Sequence, residues 1–454
     1  MKKIISIALA LLMVAVMLPV MAMADEPAAE LPTAQNGVIT LEKDVVLADA
    51  VEINSDVTID LHGFSITSSN GNSGKVIIAM ANVTIKDSVG NGRIESTSTS
   101  GGSSAAIRVG TAGTDKDITV TIESGTMKGR DCGIFVAGIN SKLVVNGGYI
   151  EGTNGFGVSG NGSMSNNNTT SECGPTTITI NGGKIIGGGT GIYHPQVGNL
   201  TINNGEITGK SGIEMRAGKL TVKGGAITAT GTTLTVNKNG SGSTTDGAAI
   251  AIAQHTTKLD IAVTIEGGTL TGVAALNEAN PQDNPAEATK KVNIVVNGGT
   301  FNGAVNKAED DSSLGVMGGT FNTDVTDYVH ASPTVKDNNG KYYVGNTAKN
   351  AVENAESGSF EVLAASEGEA LNVKPGVTIV NNSGVTIKVN GNDVPNGKSY
   401  TVPGAPIIIY NPTEDTPKAN DQKNPGTGAN DLVGVAAAMA VVSLLGAAAV
   451  IRKK

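Results

Sequence analysis

Few residues in this chain have the types and spacing to do chemistry. Arg130 and Asp131 stand side by side, and farther along come Tyr193, His194, Glu214 and Arg216. A carboxyl group can transfer a proton and a guanidinium can hold an ionised ligand, so the set Arg130, Asp131, Tyr193, Glu214 and Arg216 is the candidate surface site. If Ile192 and Ile213 align, Tyr193 lies beside Glu214 and His194 beside Met215, which turns His194 inward. Glu214 then lacks the second carboxylate that glycoside cleavage needs, and no catalytic residue is assigned. No CxxC, HExxH, P-loop, GxSxG or EF-hand pattern occurs, so no metal site or cofactor is expected.

These residues sit inside a repeat. Residues 177–231 state one pattern three times: apolar, x, apolar, x, Gly or Asn, Gly, x, apolar. Ile178 and Ile180, Leu200 and Ile202, and Leu220 and Val222 alternate with Thr, the period of a strand with one buried face. The pairs Gly182-Gly183, Asn204-Gly205 and Gly224-Gly225 mark corners, and Ile185, Ile207 and Ile227 return to the core one residue later. The second apolar residues run Ile59, Ile85, Ile122, Val145, Ile180, Ile202, Val222, Ile265, Val296 and Val316, with shortest spacings of 20 to 23 residues. A short fixed period marks a solenoid, and the longer spacings predict corner insertions or a missed coil. A further strand is expected at Ala106-Ile107, Gly133-Ile134, Gly191-Ile192, Gly212-Ile213 and Ala249-Ile250. Asn146, Asn181 and Asn203, each just before a corner, predict a stacked Asn ladder. The neighbouring outward Thr column has no regular second column beside it, which excludes an ice-binding face.

Composition agrees. The chain has 454 residues with 61 glycines, 3% aromatics and no Trp, which suits a thin core of stacked β-branched residues. Segments 160–176, 232–247, 277–290 and 304–313 break the period, and such insertions are where binding usually resides.

The two ends carry targeting signals. MKKIISIALALLMVAVMLPVMAMA has the basic start, apolar run and small-x-small end of a secretory signal peptide, cleaved between Ala24 and Asp25. Near the other end, a polar Pro-bearing spacer (411–423) leads to Asn424, Pro425, Gly426, Thr427 and Gly428. An apolar run of bilayer length follows, and then Arg452, Lys453 and Lys454 as a membrane stop. This resembles the cell-wall sorting signal of Gram-positive surface proteins, in which sortase cuts an LPxTG-type motif after Thr and joins the chain to peptidoglycan; Asn424 replaces the usual Leu. VTIDLHGFSIT similarly resembles the opening of right-handed parallel β-helix (pectate-lyase-like) proteins of Gram-positive bacteria, and GGTFNTDVTDYV the end of their repeats. Known enzymes of that fold act mostly on acidic polysaccharides, some with calcium, for which no motif is present here.

The expected fold is therefore all-β: a right-handed parallel β-helix of about ten coils, a small β-rich module and a C-terminal transmembrane sorting helix. The expected boundaries are 1–24 signal peptide, 25–36 flexible lead-in, 37–330 capped β-helix, 331–410 module, 411–428 linker and sorting motif, and 429–454 hydrophobic segment and basic tail. Phe301, Phe321, Tyr328, Tyr342 and Tyr343 predict a C-terminal cap. The module should hold a short helix at 346–356 and strands near 360–363, 377–380, 385–389 and 400–402. In an exported chain Cys132 and Cys173 can pair, their 41-residue gap placing them one or two coils apart.

The expected function is a wall-anchored adhesin or glycan- or host-binding rod, its partners being sortase, peptidoglycan and an unidentified glycan or protein. A polysaccharide lyase or hydrolase and a structural spacer for the module are the alternatives. After both cleavages 27 basic residues face 40 acidic ones, a net charge of −13 that argues against nucleic acid.

Overall fold

The computed structural model describes residues 30–68, 74–99, 104–162, 174–308 and 312–404. The signal-cleavage pair Ala24 and Asp25, the sorting motif 424–428, the stop residues Arg452, Lys453 and Lys454, and Cys173 lie outside them.

The chain winds as a parallel β-helix. Strands Val38–Thr40, Val57–Asp60, Val83–Lys86, Thr119–Ile122, Lys142–Val145, Thr176–Ile180, Gly198–Ile202, Gly218–Val222, Ile261–Ile265, Val292–Val296 and Ser313–Val316 form one 11-stranded sheet. Every column residue named from the sequence pairs with the next in register, from Ile59 opposite Ile85 through Val296 opposite Val316. The ladder holds one rung more than the column read from the sequence, because Ile39 pairs with Ile59 at its start. Residues 37–67 thus already form coils. At a strand repeat of about 4.8 Å the eleven rungs span roughly 50 Å.

Each full coil adds a second and a third strand. The second-strand column runs Val45, Ile66, Ile94, Met127, Ile150, Ile185, Ile207, Ile227, Leu270, Phe301 and Phe321. The third runs Val51, Ile77, Ile107, Ile134, Val158, Ile192, Ile213, Ile250, Leu276 and Val305. Together they enclose one continuous hydrophobic core.

The Gly-Ile step of the third strand has a packing cause. A Cβ on Gly133, Gly157, Gly191 or Gly212 would stand only 2.5, 2.5, 2.7 or 2.5 Å from the Cγ2 of Ile150, Ile185, Ile207 or Ile227 in the following coil. The missing side chain is the socket for the next coil's isoleucine. At the first corner the second glycine takes positive φ, as at Gly183 (81°) and Gly225 (84°). Beside this corner Asn203 Nδ2 donates to Asn181 Oδ1 (2.7 Å), Asn181 to Asn146 (2.8 Å) and Asn146 to Glu123 Oε1 (2.9 Å). The amide ladder is real, and it is exposed.

The longer insertions avoid that glycine corner, where the largest interruption is 87–92, and gather at the two corners either side of the third strands, whose parallel ladder is the third sheet. Residues 232–247 join the second strand Ala226–Ala229 to the third strand Ala248–Ala253, whereas 160–175 and 280–291 join third strands to the next coil. Two boundaries shift: 277–279 end the strand Thr269–Ala279, and 304–307 end Thr300–Lys307, so only 308–312 of the last expected insertion connects strands.

Both ends are closed. From Glu30 the lead-in lies against the first coil rather than hanging free, with Leu31 on the core and Gln35 bridged to Val38 at 2.8 and 3.0 Å. At the other end Tyr342–Val344 pairs antiparallel with Gly319–Phe321, and Thr334–Asp337, Gly358–Ala364, Val377–Asn381 and Lys398–Thr401 continue the same sheet. Phe301 and Phe321 stack at 4.6 Å inside the end that Tyr342 and Val344 cover. The module keeps its own core around Phe360, Val362, Ile379 and Val352 of the helix Asn346–Asn354. It is nevertheless stitched into the solenoid through main-chain hydrogen bonds.

Filling a socket tests this packing. Gly212→Val, which drives branched carbons into Ile227 and the Ala249 carbonyl, is expected to cost about 2–3 kcal/mol through overpacking, read as a lowered unfolding midpoint. The same change at exposed Gly376, with nothing within 4 Å but φ of 88°, should act through backbone strain alone and cost less.

Candidate functional site

Tyr193 stands opposite Glu214 and His194 opposite Met215, the pairing expected from the alignment of Ile192 with Ile213. Alternation then sends Tyr193, Glu214 and Arg216 to the outer face of the third sheet and His194 to the inner one.

That outer face is not open. The insertion 232–247, which contains the hairpin Thr235–Val236 with Thr245–Asp246, folds back over it. Tyr193 is 5% exposed, and Glu214 and Arg216 are fully buried. The Glu214 carboxylate accepts from Thr244 N (2.8 and 3.0 Å), Thr244 Oγ1 (2.8 Å) and Thr245 N (3.3 Å). Arg216 Nε lies 3.9 Å from Glu214 Oε1 and donates to the Ala253 carbonyl at 3.1 Å, while Nη1 donates to the carbonyls of Asn239 (3.0 Å) and Gly242. Gly242 N donates to Tyr193 Oη at 3.2 Å, and the Tyr193 ring stacks on Phe156 at 4.7 Å. The three residues expected as a surface site form the latch that pins an insertion.

Burial sets the electrostatics of this cluster. Burial pushes the Glu214 carboxyl up to about 7, opposed by Arg216 and by the Thr244 and Thr245 bonds. Burial likewise pushes the Tyr193 phenol up to about 12. His194 is held down at about 4 by burial; its Nδ1 lies 3.1 Å from the Ala217 carbonyl, and its Nε2 is buried without a partner among the described residues. A neutral imidazole facing the core cannot reach a substrate outside.

Arg130 and Asp131 lie apart from this cluster, at the corner between Thr126–Gly129 and Cys132–Val136. Asp131 Oδ2 accepts from Ser104 N (2.9 Å) and Oγ (3.2 Å), tying its coil to the one before. Its coil precedes that of Glu214 by three rungs, about 14 Å along the axis, too far for a pair of cooperating carboxylates. Burial pushes the Cys132 thiol up to about 12, so it carries no thiolate at neutral pH. Among the described residues no group of three His, Cys, Asp or Glu is arranged to hold a metal.

No protein family, curated protein or solved structure matches this chain.

Sequence reasoning missed the partners that complete the latch. A second insertion, 280–290, is tied down by Asn284, whose Nδ2 donates to Gln254 O (3.3 Å), Gln254 Oε1 (3.1 Å) and His255 O (3.0 Å). Gln282 Nε2 donates to Asn239 O at 2.7 Å, and Lys238 pairs with Asp283 at 2.7 Å, so the two insertions hold each other. One signal for a covered face was present in the sequence. The strand Ala248–Ala253, AAIAIA, is apolar on both sides, and a strand wet on one side would alternate. Its outward Ala248 and Ala251, with Ala274, leave room for Leu234 of the insertion to pack close.

Two outcomes follow. Glu214→Ala leaves Arg216 buried without its counter-charge and is expected to cost about 3–5 kcal/mol, whereas Glu214→Gln with Arg216→Met should lower the unfolding midpoint much less. The second concerns acid. A histidine kept neutral at a pKa of about 4, against 6.5 when unfolded, contributes stability that is intact above pH 6.5 and lost as pH falls to about 4. Thermal melts of His194→Met should be flatter than the parent's across that window.

Proposed function

We propose that the chain is an exported surface rod, anchored to the cell wall by sortase acting at Thr427, that binds its ligand through the insertions beside its third sheet. The observation that carries this reading is the latch. The insertion 232–247 is fastened by a buried carboxylate, guanidinium and phenol, which a scaffold of stacked coils does not need for its own core. Burying charges is costly, and that cost has a use where a loop must keep one shape. The two ends of the sequence support export and anchoring. The coils themselves read as scaffold, with sockets, columns and amide ladder serving the stacking.

The catalytic alternative needs acidic groups converging in one groove, and Asp131 and Glu214 do not converge. A surface groove of about 600 Å³ does exist at the starts of the first-sheet strands, lined by Asn199, Lys219, Leu259, Asp260, Ala262 and Lys291, with Asp260 as its carboxylate.

The test is a glycan and mucin array probed with the compact unit ending at Gly404. Saturable binding is expected. A blank array would leave the chain as a spacer that displays its module. Mass spectrometry of wall digests checks the anchoring, with peptidoglycan-linked peptides ending at Thr427 expected and an intact Lys454 terminus in mature protein contradicting it.

A further inference from the structure

We propose that residues 232–247 and 280–290 form a single prebuilt platform whose ligand is a neutral, hydroxyl-rich glycan. This rests on the reading above, that the chain binds through its insertions.

The first support is mechanical. Each insertion has its own anchor on the coils, Glu214, Arg216 and Tyr193 in or just past the third strands for one, and Gln254 and His255, which follow the strand Ala248–Ala253, for the other. They are also joined to each other through Gln282 and Asn239 and through Lys238 and Asp283. Surface loops that merely drift are not fastened at two levels. A loop ordered in advance saves the ligand the cost of ordering it on binding.

The second support is chemical, in what the platform turns outward. Thr232, Thr233, Thr235, Asn237 and Ser241 are exposed and present hydroxyl and amide groups. Its lysines are neutralised, Lys238 by Asp283 and Lys290 by Glu287, so it offers no free cation to a polyanion. Neither segment contains an aromatic residue or an arginine, the side chains that anchor protein interfaces, and the large exposed aliphatic is Val236 alone, 39% exposed. Groups that both donate and accept, set on a rigid surface whose lysines are paired, match a ligand that is itself uncharged and covered in hydroxyls.

The experiment uses the unit ending at Gly404 on an array of neutral and acidic glycans at low and high salt. Binding to neutral glycans, insensitive to salt, is expected. Thr235→Lys with Asn237→Lys should weaken it about tenfold with an unchanged melting temperature. Glu214→Ala should weaken it about as much although every exposed residue is unchanged, because the loop loses the carboxylate that accepts from Thr244 and Thr245. Neutral-glycan binding untouched by both variants overturns the platform. Binding confined to acidic glycans or to mucin protein also overturns it, while leaving the binding rod in place. A blank array overturns both.

Discussion

Parallel coils can stack only if each strand presents its side chain directly over that of the coil before, and nearly everything else in this molecule follows from that requirement. The column from Ile39 to Val316 keeps its register through eleven strands even where 43 residues separate Val222 from Ile265. Register is preserved because insertions are confined to corners, and at the corners beside the third sheet at that. The first corner cannot accept one easily. Its leading glycine lies against the preceding coil's main chain, a Cβ on Gly182 meeting the Asn146 carbonyl at 2.7 Å and one on Gly224 the Asn203 carbonyl at 2.7 Å. The long insertions at the other two corners give the rod a smooth side and a decorated side.

On the decorated side the molecule departs from scaffold economy. Outward positions of a β-helix normally face water, where a glutamate or arginine costs little. Here Glu214 and Arg216 are taken out of water by 232–247, and the loss of hydration is offset in part by main-chain groups of the loop itself: amides at 244 and 245 for the carboxylate, carbonyls at 239 and 242 for the guanidinium, whose Nη2 has no partner among the described residues. The alanines at 248, 251 and 274 let the loop come close enough for those bonds. The polar latch and the apolar seat depend on each other, since neither the bonds nor the Leu234 contact survives if the loop lifts.

The sequence makes the solenoid legible because period and residue type coincide there: alternating aliphatics, glycine corners and a Gly-Ile step each repeat at the same interval. The inward turn of His194 and the pairing of Tyr193 with Glu214 were readable for the same reason. The first coil was harder to see, since Val45-Val46-Leu47 follows charged Glu42 and Lys43 rather than a glycine pair. The site was misread in two respects, its exposure and its unity, since Arg130 and Asp131 lie three rungs from Glu214. Whether an outward residue is wet depends on where a nonrepetitive loop folds, and nothing periodic encodes the path of 232–247. Only the doubly apolar strand at 248–253 hinted at a cover. The module was legible as separate strands, but its continuity with the solenoid was not, because the antiparallel pairing of Tyr342–Val344 with Gly319–Phe321 is a long-range contact with no local signature.

The central claim is that residues 232–247 are held as firmly as the coils beneath them. Hydrogen–deuterium exchange at the amides of Gly242, Thr244 and Thr245 measures this directly, because each donates to a buried side chain of the third sheet. Protection close to that of the strand amides at 213–215 is the predicted result. Exchange at the rate of an open surface loop would contradict it, and with it the view that Glu214, Arg216 and Tyr193 exist to hold a binding surface in place.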